Sequence, residues 1–596
     1  MKRILILALA FALILCSLFS CANSTTEETD STESESKTEE TSNRLPAEDV
    51  TGEGFELALS EDKSYYIFVS KGTCADEILT IPASFNNIPI KSIAENAFSN
   101  CEGVKEIIIS EGITEISKNA FAFAKSIKSV TLPSTVTAIP ERTFYQAQKL
   151  EEIKLGNATA EIGVSAFEGC SALKSISLPE SVKSVGASAF YNCSALASIT
   201  LGDSIESIGY SAFDGTAFAG NAQSWTDKAL YCSKYLLKVA TDKSDALTVK
   251  DGTLLIADQA AKQSDISAIT LPKSLKFIGE NAFTACKSIT ALNIPEGAIS
   301  IGDNAFSNCV KLADVTLPST LKYLGAFSFY HCSALKAIEI PNGITEICKE
   351  AFNECISLES VTLPEGLLTI GVYSFANCYS LQKITLPSTL TLIKESAFYK
   401  GYNLISVNLP KSLTKIESWA FQYCHKLVDV KNESALNIVA DSKDTSNGYA
   451  GTYAKEIHNG ESVIVEQNGY LFYSFDGVNY LMGYSGMSDT SLTLPTDFNG
   501  DGYTIYKYAF SFRPMLTSVI ITSGDITINS NAFDNCPNLT ELTISSTVKS
   551  IGKNAVNLCP SFNKLIFLGT QAQFNSISIN STNALLLNAQ REYVVR

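Results

Sequence analysis

The chain has few of the residues that enzymes use to move protons and hold metals. It is 596 residues long but contains three histidines, and no nucleophile elbow, P-loop, H-E-x-x-H motif or dinucleotide fingerprint occurs. His331 and His425 lie four sequence repeats apart, roughly 19 Å at the spacing of adjacent strands, too far to share a zinc ion or a proton relay. His458 stands alone. We therefore expect no catalytic residue, no enzymatic activity and no cofactor.

Long apolar runs are also scarce. The one at the N-terminus, Ile4 to Leu15, follows Lys2 and Arg3 and is too short for an ordinary membrane span. We interpret residues 1–20 as a signal peptide for export. The residues before Cys21 resemble a bacterial lipobox, and this resemblance implies that Cys21 is acylated and becomes the mature N-terminus. A plain secretory peptide with a coincidental cysteine is the alternative.

Basic residues are outnumbered, with 45 lysines and arginines against 62 acidic residues, a formal net charge of −17. Such an acidic protein is a poor partner for nucleic acid or anionic lipid. From Ala22 to Val50 the chain is rich in Ser, Thr and Glu and has almost nothing to bury. We expect a disordered tether between the lipid anchor, its only membrane contact, and the folded part.

Phenylalanine recurs every 23 residues in three phased blocks, which indicates one small unit stacked many times. The positions are Phe98, Phe121, Phe144, Phe167, Phe190 and Phe213, then Phe283, Phe306, Phe329, Phe352, Phe375, Phe398 and Phe421, then Phe510 and Phe533. Within each unit, an I/V-x-L/I segment before a proline predicts a short strand with one buried face. A second apolar pair packs inward from another side. Stacked coils should align the phenylalanine rings in one continuous spine.

Sequence motifs within these units resemble those of the BspA-like leucine-rich repeat. They are T-L-P-S-T-L-x-x-I-x-x-x-A-F at Thr385 to Phe398 and N-C-x-x-L at Asn308 to Leu312, and the match runs from about Leu79 to the C-terminus. This resemblance implies an α/β-type leucine-rich-repeat solenoid, dominated by short parallel strands stacked coil on coil. It also implies a place among bacterial surface proteins, several of which bind host matrix proteins or other cells.

Cysteine follows the repeat, because eleven of the sixteen cysteines lie three residues after the phenylalanine position. Ala, Thr or Gly occupies the same position in other coils, so the site requires a small residue, and cysteine there acts as a compact hydrophobe. Equivalent coils point their Cβ atoms in parallel, which is poor geometry for a disulfide. We expect buried free thiols, with disulfides as the alternative. Without C-x-x-C spacing or neighbouring histidines, they do not form a metal site.

Two interruptions break the phase and define the expected organisation. Ala229 to Val239 reads as two strands around a tight turn, and residues 431–500 are rich in tyrosine. We predict a signal peptide (1–20), an acidic tether (21–50), an N-terminal cap with the first repeat block (51–216), a hairpin insertion (217–250), a second repeat block (251–430), a tyrosine-rich β insertion (431–500), a third repeat block (501–562) and a C-terminal cap (563–596).

One segment of the second insertion resembles the start of a calcium-binding loop. Asp497, Asn499, Asp501 and Gly502 spell D-x-N-x-D-G, but the twelfth position is Tyr508 where an EF-hand requires Glu. A similar stretch at Leu79 to Asn86 has Ser84 in place of the first carboxylate. We therefore interpret the segment as a widened repeat turn and expect no metal site.

Two surfaces are candidates for binding a partner. The outward strand positions should form a polar ladder that includes Thr316, Thr362, Thr385 and Asn408, although threonine also simply suits exposed strand positions. In the second insertion, Tyr470, Tyr473, Tyr480 and Tyr484 could form a recognition surface, or could pack a small β-subdomain. Together these features predict a monomeric, lipid-anchored protein at the cell surface or outer membrane that binds an extracellular protein or glycan, most simply as an adhesin. A structural or carbohydrate-binding envelope component is the alternative.

Overall fold

The computed structural model describes residues 50–595 except residues 53, 441, 442 and 488. The predicted signal peptide, Cys21 and the tether up to residue 49 therefore lie outside the described residues. Val50 begins the first strand. The described chain forms two units, one comprising the residues up to 243 with 247–264 and 272–283, and the other comprising 244–246, 265–271 and the residues from 284 onward. Both consist mainly of stacked coils of short parallel strands, which confirms the predicted solenoid.

Each regular coil contributes two strands, a longer one just before the proline and a shorter one from the second apolar pair. In the longer strand the central side chain points into the core and its neighbours point to solvent, as in Ser175–Ser177 and Ala291–Asn293. Equivalent strands pair in parallel without slippage, for example Ser175 with Ser198 and Ile176 with Ile199. Because a shift of one residue would expose every buried side chain, the alternation fixes this register.

The first unit starts with an antiparallel cap and ends with the hairpin insertion. The cap strands are Val50–Gly52, Phe55–Leu59, Tyr66–Ser70 and Ser84–Phe85. The longer strands are Ile78–Ile81, Glu106–Ile109, Ser129–Thr131, Glu152–Lys154, Ser175–Ser177 and Ser198–Thr200, and the shorter ones are Ile88–Ile93, Glu115–Ile116, Ala138–Ile139, Glu161–Ile162, Ser184–Val185 and Ser207–Ile208. The remaining strands are Trp225–Thr226, Ala229–Cys232, Tyr235–Val239, Leu247–Thr248, Leu255–Ile256 and Phe277–Ile278. Ala229–Cys232 pairs antiparallel with Tyr235–Val239, so the predicted hairpin is present.

The second unit contains two runs of coils. In the first run, the longer strands are Ile269–Thr270, Ala291–Asn293, Asp314–Thr316, Ala337–Glu339, Ser360–Thr362, Lys383–Thr385, Ser406–Leu409, Asp429–Asn432 and Ile457–His458, and the shorter ones are Ser300–Ile301, Tyr323–Leu324, Glu346–Ile347, Thr369–Ile370, Leu392–Ile393 and Lys415–Ile416. In the second run, one sheet contains Ile464–Gln467, Tyr470–Phe475, Val478–Tyr484, Tyr503–Ile505, Ile526–Ile528, Ser550–Ile551 and Ser578–Ile579. The other sheet of this run contains Ser491–Thr493, Ser518–Ile520, Glu541–Ser545, Lys564–Leu568 and Gln590–Tyr593.

Helices are few and short. The described α-helices are Ala217–Gly220, Gln571–Ser576 and Ala584–Asn588, and the 3₁₀ helices are Ala222–Ser224 and Asn447–Tyr449. Two of the α-helices lie in the predicted C-terminal cap, whose strands extend both sheets by one more coil. None of the helices in the described part is long and apolar enough to cross a membrane.

Stacked phenylalanine rings form the centre of each unit. In the first unit, Phe68 of the cap stacks on Phe98, and the column continues to Phe213 with ring centroids 4.7–5.3 Å apart. In the second unit, a column from Phe306 to Phe421 has spacings of 5.1–5.7 Å. These distances follow the separation of neighbouring strands, about 4.8 Å. Each ring therefore touches the equivalent ring of the next coil.

The expectation of one continuous spine is wrong for the second unit. After Phe421 the next coil is degenerate, and its turn presents Gly448, whose carbonyl accepts a hydrogen bond from the Phe421 amide at 2.7 Å. Phe510 and Phe533 stack on each other at 5.4 Å in a separate run with its own core. The insertion redirects the chain, so the second run packs against the side of the first.

The described cysteines are free and buried, as predicted. The structure adds a polar role that the sequence analysis did not include. Eight of these thiols donate a weak hydrogen bond to the carbonyl of the phenylalanine in the previous coil. Examples are Cys332 to Phe306 at 3.2 Å and Cys355 to Phe329 at 3.3 Å. Cysteine therefore both fills a small site and satisfies a buried carbonyl.

Two residues of left-handed backbone conformation flank every repeating phenylalanine, one two positions before it and one two positions after it. The backbone turns sharply there, and most side chains at these positions are exposed or half-buried, although Ser165 and Ser396 are buried. Asparagine is the residue that best tolerates this conformation after glycine. It occupies Asn96, Asn100, Asn119, Asn192, Asn281, Asn304, Asn308, Asn377, Asn531 and Asn535. We call these the turn positions.

Candidate interaction surface

The predicted polar ladder is present on the longer strands of the second unit. Thr316, Thr362 and Thr385 are exposed, whereas Asn408 is half-buried. Thr385 and Asn408 are register partners on adjacent strands. The Asn408 Oδ1 atom is buried and has no hydrogen-bond partner in the described chain. The three threonines thus lie on one flat polar face, and Asn408 lies at its more enclosed end.

The four predicted tyrosines of the insertion are mostly packing residues. Tyr470 and Tyr473 are 8% and 1% exposed, and Tyr480 and Tyr484 are half-buried. Tyr470 packs on Tyr484 with ring centroids 4.8 Å apart, and its hydroxyl donates to the Thr493 carbonyl at 2.5 Å. Burial raises the pKa of Tyr473. Only the two half-buried rings could reach a partner, and the arrangement fits the alternative that these tyrosines pack a β-subdomain.

The two runs of the second unit meet at a joint that contains two buried basic residues. Lys426 is fully buried, and its Nζ donates to Asn403 Oδ1 at 3.0 Å and to the Ala509 carbonyl at 2.8 Å. Arg513 is 1% exposed and donates to the Tyr484 and Gly486 carbonyls. Burial lowers the pKa of Lys426 well below its usual range, and the charge of Arg513 lowers it further. The bond from Lys426 to Ala509 joins the two runs, whereas the bonds to Asn403, Tyr484 and Gly486 stay within one run. Gln382 Nε2 also crosses the joint, donating to the Tyr484 carbonyl at 2.8 Å.

Asp429 connects the last coil of the first run to the insertion. Its carboxylate accepts from Ser406 Oγ at 2.7 Å and from Ser462 Oγ at 2.6 Å, and it lies 2.7 Å from His458 Nε2. The residue types match those of a hydrolase triad, but the geometry does not. Both hydroxyls donate to the carboxylate, while His458 Nδ1 is buried without a partner in the described chain. Because no hydroxyl meets the imidazole, this arrangement cannot activate a nucleophile.

The segment considered as a calcium loop forms a tight turn. Asp497 Oδ1 accepts from the Gly500 amide at 2.9 Å, and Phe498 and Asp501 form an isolated antiparallel bridge. The carboxylate is thus used to hold the turn. Within the described ranges, no group of three or more His, Cys, Asp or Glu side chains is arranged to hold a metal ion.

An aromatic surface that the sequence analysis missed lies at the turn side of the second unit. It consists of rings from consecutive coils and from the degenerate coil that follows them. We call it the aromatic ridge. Ring contacts link Tyr373, Tyr399, Tyr423, His425 and Tyr453, and we include Trp419, which is exposed in the same coil as Tyr423. Successive ring centroids are 6.1 Å apart from Tyr373 to Tyr399 and 5.4 Å apart from Tyr399 to Tyr423. His425 lies 5.8 Å from Tyr423 and 5.0 Å from Tyr453.

The base of the ridge is fixed by the second run. Phe512 stacks on Tyr402 at 4.1 Å with an interplanar angle of 9°, and Tyr508 stacks on His425 at 4.8 Å. Burial lowers the pKa of His425 to about 4, with a further contribution from Lys507. His425 is therefore a neutral ring at physiological pH. Because the joint holds both layers, the exposed rings rest on a preorganised support.

The ridge breaks the residue preference of the turn positions. Tyr373, Trp419 and Tyr423 occupy left-handed backbone with φ of 52°, 60° and 64°. Asparagine is the commonest residue at the turn positions, although phenylalanine and charged residues also occur at several of them. Trp419 is 44% exposed and Tyr423 is 38% exposed, so core packing does not explain them. A bulky residue in this conformation costs on the order of 1 kcal/mol. Strained and exposed aromatic residues of this kind are typical of binding sites.

The positions of the ridge residues within the 23-residue repeat could have indicated the ridge from the sequence. Its tyrosine and tryptophan residues in the regular coils lie two positions before, one position after or two positions after a repeating phenylalanine. Aromatic density along the sequence is highest in the insertion, so density alone does not indicate the turns. The left-handed conformation that makes these positions informative appears only in the structure.

Comparison with known proteins identifies the repeat. The sequence matches the family described as BspA type leucine rich repeat region (6 copies) over residues 81–219, 255–367, 345–443 and 489–586, which together exceed half of the chain. The unmatched stretches between these ranges overlap the hairpin and the tyrosine-rich insertion. No curated protein is similar enough in sequence to count as a match.

Several solved structures are similar to the chain. A leucine-rich repeat protein from Bacteroides ovatus has 25% identity, covers 64% of this chain and 94% of its own, and gives a TM-score of 0.30. A leucine rich cell surface protein from Faecalibacterium prausnitzii has 23% identity, with 68% and 98% covered and a TM-score of 0.27. A leucine-rich repeat protein from Eubacterium ventriosum has 19% identity, with 66% and 97% covered and a TM-score of 0.29. These scores are low, so the classification rests on the family match.

Proposed function

Because the chain belongs to the BspA-type leucine-rich-repeat family, we propose that it is a cell-surface lipoprotein that binds extracellular macromolecules and acts as an adhesin for host matrix proteins or for other cells. The proposed anchor is a lipid on Cys21, and the acidic residues up to 49 form the tether. Binding is passive surface contact, without a catalytic step or a cofactor. The aromatic ridge is the principal contact, and Thr316, Thr362 and Thr385 extend it as a polar flank.

One observation carries this proposal, namely the concentration of aromatic side chains on consecutive coils, with Trp419 and Tyr423 exposed at turn positions. Tyrosine and tryptophan provide large contact areas and lose little entropy when they are immobilised, so they are frequent at the centres of interfaces. The rings also rest on a rigid base, because Phe512 and Tyr508 pack beneath them. A preorganised surface binds with less loss of entropy than a mobile one.

The proposal is tested with the chain from residue 22 onward, immobilised and exposed to fibronectin, laminin, collagen and intact cells. We expect retention of at least one of these and its loss in the double variant Trp419→Asn/Tyr423→Asn. Deleting residues 431–500 is a poor test, since Phe472 and Leu481 of that segment belong to the core of the second run. Leu558→Asn is a matched control, because Leu558 is 61% exposed at a turn position of another coil.

If the double variant retains the ligand as well as the unmodified chain does, the ridge is not the binding surface. Absence of binding to every matrix protein and cell would contradict the adhesin proposal itself. Surface display and lipidation are tested separately. Protease added to whole cells should cleave the protein, and Cys21→Ser should release it from the membrane fraction. A protein that resists protease on intact cells would be located inside the envelope.

A further inference from the structure

The turn around Phe213 lacks the backbone bonds that hold the turns before it. In the four coils from Phe121 to Phe190, three N–H groups of each turn donate to carbonyls of the next turn. In the Phe190 turn these donors are Ser188, Phe190 and Asn192. The equivalent N–H groups of the Phe213 turn are those of Ser211, Phe213 and Gly215, and none of them donates to an acceptor within the described residues. Three backbone donors that face the next layer of the stack are therefore unpaired.

The hairpin insertion causes this gap. The next turn of the repeat type is centred on Ala261, whose N–H donates to the Ala282 carbonyl at 2.7 Å, as the N–H of a repeating phenylalanine does. Left-handed residues flank Ala261 two positions before it and two positions after it, at Gln259 and Gln263. The hairpin strands occupy the sequence between the two turns. One repeat turn is therefore missing from the stack at this level.

A cavity of about 210 Å³ lies between the Phe213 turn and the Ala261 turn. The two turns meet at one end, where the Asp258 N–H donates to the Ile208 carbonyl at 2.9 Å, and no backbone bond joins them farther along in the described chain. Ser211 and Phe213 line one wall. The apolar part of the lining comes from the hairpin residues Leu230, Leu237 and Val239. All of these residues belong to the first unit.

Carbonyl groups on the Ala261 wall are unpaired in the same way. The equivalent carbonyls of other turns accept from the preceding turn. In the Ala261 turn the middle one, that of Ala260, accepts from the Val239 N–H at 2.6 Å. The carbonyls of Asp258 and Lys262 accept no bond in the part of the chain that the structure describes. The cavity therefore has unpaired N–H donors on one wall and unpaired carbonyl acceptors on the other.

The charged side chains around the cavity balance one another. They are two acidic and two basic residues, namely Asp214, Asp258, Lys238 and Lys262. Asp214 pairs with Lys238 at 2.7 Å, and Asp258 Oδ1 accepts from the Glu280 N–H at 2.8 Å. A balanced lining of this kind does not favour a ligand with a net charge. It favours a neutral ligand that carries an acceptor group and a donor group next to an apolar part.

We infer that this cavity binds the zwitterion of a small apolar α-amino acid. Its carboxylate accepts from the Ser211 and Phe213 N–H groups, and its ammonium group donates to the carbonyls of Asp258 and Lys262. Its side chain packs against Leu237 and the neighbouring apolar residues of the hairpin. Hydrogen bonds between a charged group and backbone groups are stronger than those between neutral groups. This inference goes beyond the proposed function and does not involve the aromatic ridge.

Calorimetric titration of the chain from residue 22 onward with L-leucine tests the site. Two analogues are matched controls, because isocaproate is leucine without the ammonium group and isopentylamine is leucine without the carboxylate. We expect saturable binding of leucine and at least about tenfold weaker binding of each analogue, since each leaves one wall unpaired. L-glutamate and L-lysine should also bind more weakly, because their side chains would bring a further charge against the apolar lining.

Amide hydrogen exchange locates the bound leucine. In the free chain, the unpaired N–H groups of Ser211 and Phe213 should exchange faster than those of Ser188 and Phe190, which are hydrogen-bonded. Leucine should slow exchange at Ser211 and Phe213 and leave Ser188 and Phe190 unchanged. This pattern would assign binding to the cavity.

Two leucines of the first unit provide a matched pair of variants. Leu237 and Leu254 are both half-buried against the same core, but of the two only Leu237 lines the cavity. Leu237→Ala should weaken the binding of leucine about tenfold, because the ligand loses apolar contact, and Leu254→Ala should bind as the unmodified chain does. Trp225 and Trp419 are the only tryptophans of the chain, and their fluorescence during urea denaturation shows whether each variant folds.

Several results would overturn the inference. Isocaproate that binds as tightly as leucine would assign the cavity to carboxylates, and acetyl-leucine amide that binds more tightly than leucine would assign it to peptide segments. Leucine binding that leaves the exchange of Ser211 and Phe213 unchanged would place the ligand elsewhere. Absence of leucine binding would contradict the inference but not the adhesin proposal, because adhesion is measured separately with the ridge variants.

Discussion

Replacing Lys426 with methionine tests the joint between the two runs of the second unit. The lysine Nζ is the donor for two buried acceptors, Asn403 Oδ1 and the Ala509 carbonyl. Methionine fills similar space but donates no hydrogen bond. Each acceptor left unsatisfied costs about 1–3 kcal/mol. Removing the buried amine offsets part of this cost, because the amine no longer has to be desolvated on folding. We expect Lys426→Met to lower the free energy of unfolding by about 2–4 kcal/mol at neutral pH.

The pH dependence of stability gives a second signature. Burial holds the pKa of Lys426 well below its usual range, whereas the unfolded lysine titrates near ~10.4. Between these two values the unfolded state binds more protons, so the stability of the unmodified protein rises with pH across this window. Above both pKa values the lysine is neutral in the folded and the unfolded state, so its titration no longer changes the free energy of unfolding. The Lys426→Met variant has no amine to titrate at this position. Its free energy of unfolding should therefore rise less steeply with pH over the same range.

The measurement is urea denaturation in the Trp225→Phe background, followed by the fluorescence of Trp419, which lies on the coil next to the joint. Lys311→Met is the matched control, because Lys311 has the same position in its coil and is exposed. That change should stay within about 0.5 kcal/mol. Equal effects of the two substitutions, or an unchanged pH slope in Lys426→Met, would refute the role assigned to the buried amine.

Two other predictions concern the columns and the ridge. Phe352→Ala should cost about 3–5 kcal/mol in urea denaturation, because the fully buried ring loses stacking partners on both faces, and a loss no larger than that of Phe123→Ala, whose ring is 50% exposed, would contradict this. His425 has a folded pKa of about 4, so from about pH 6.5 down to 4 the unfolded state binds more protons and the stability of the unmodified protein falls. His425→Gln should remove that part of the acid sensitivity, and melting curves that keep the original pH dependence would count against it.

The repeat itself could be predicted because its information is local. The 23-residue period gives the two strands of each coil, the phenylalanine column and the buried position of cysteines such as Cys332 and Cys355. The hairpin from Ala229 follows from two apolar runs around a tight turn. Each of these features depends on residues within one coil or in the next one. In a solenoid each coil contacts only the coils next to it, so such contacts repeat with the sequence period.

The joint and the ridge could not be predicted in the same way. Lys426 bonds the carbonyl of Ala509, a residue 83 positions away in another run, and the period carries no information about that contact. Lysine is rarely buried, so its sequence context indicates exposure. The base of the ridge depends on Tyr508 stacking on His425, a contact between residues of different runs. Aromatic density alone pointed to Tyr470 and Tyr473, which the structure buries.

The cysteine columns set a condition on the timing of biogenesis. A thiol such as Cys378 becomes inaccessible only when the preceding coil is in place to accept its hydrogen bond, at 3.2 Å from the Phe352 carbonyl. Until then the sulfur atoms are open to oxidants, and neighbouring coils would offer many mispaired cross-links. The coils must therefore fold faster than their thiols are oxidised, in whichever compartment the chain folds. A molecule that unfolds in an oxidising medium would not refold readily, because disulfides formed between its exposed thiols would block the stacking of the coils.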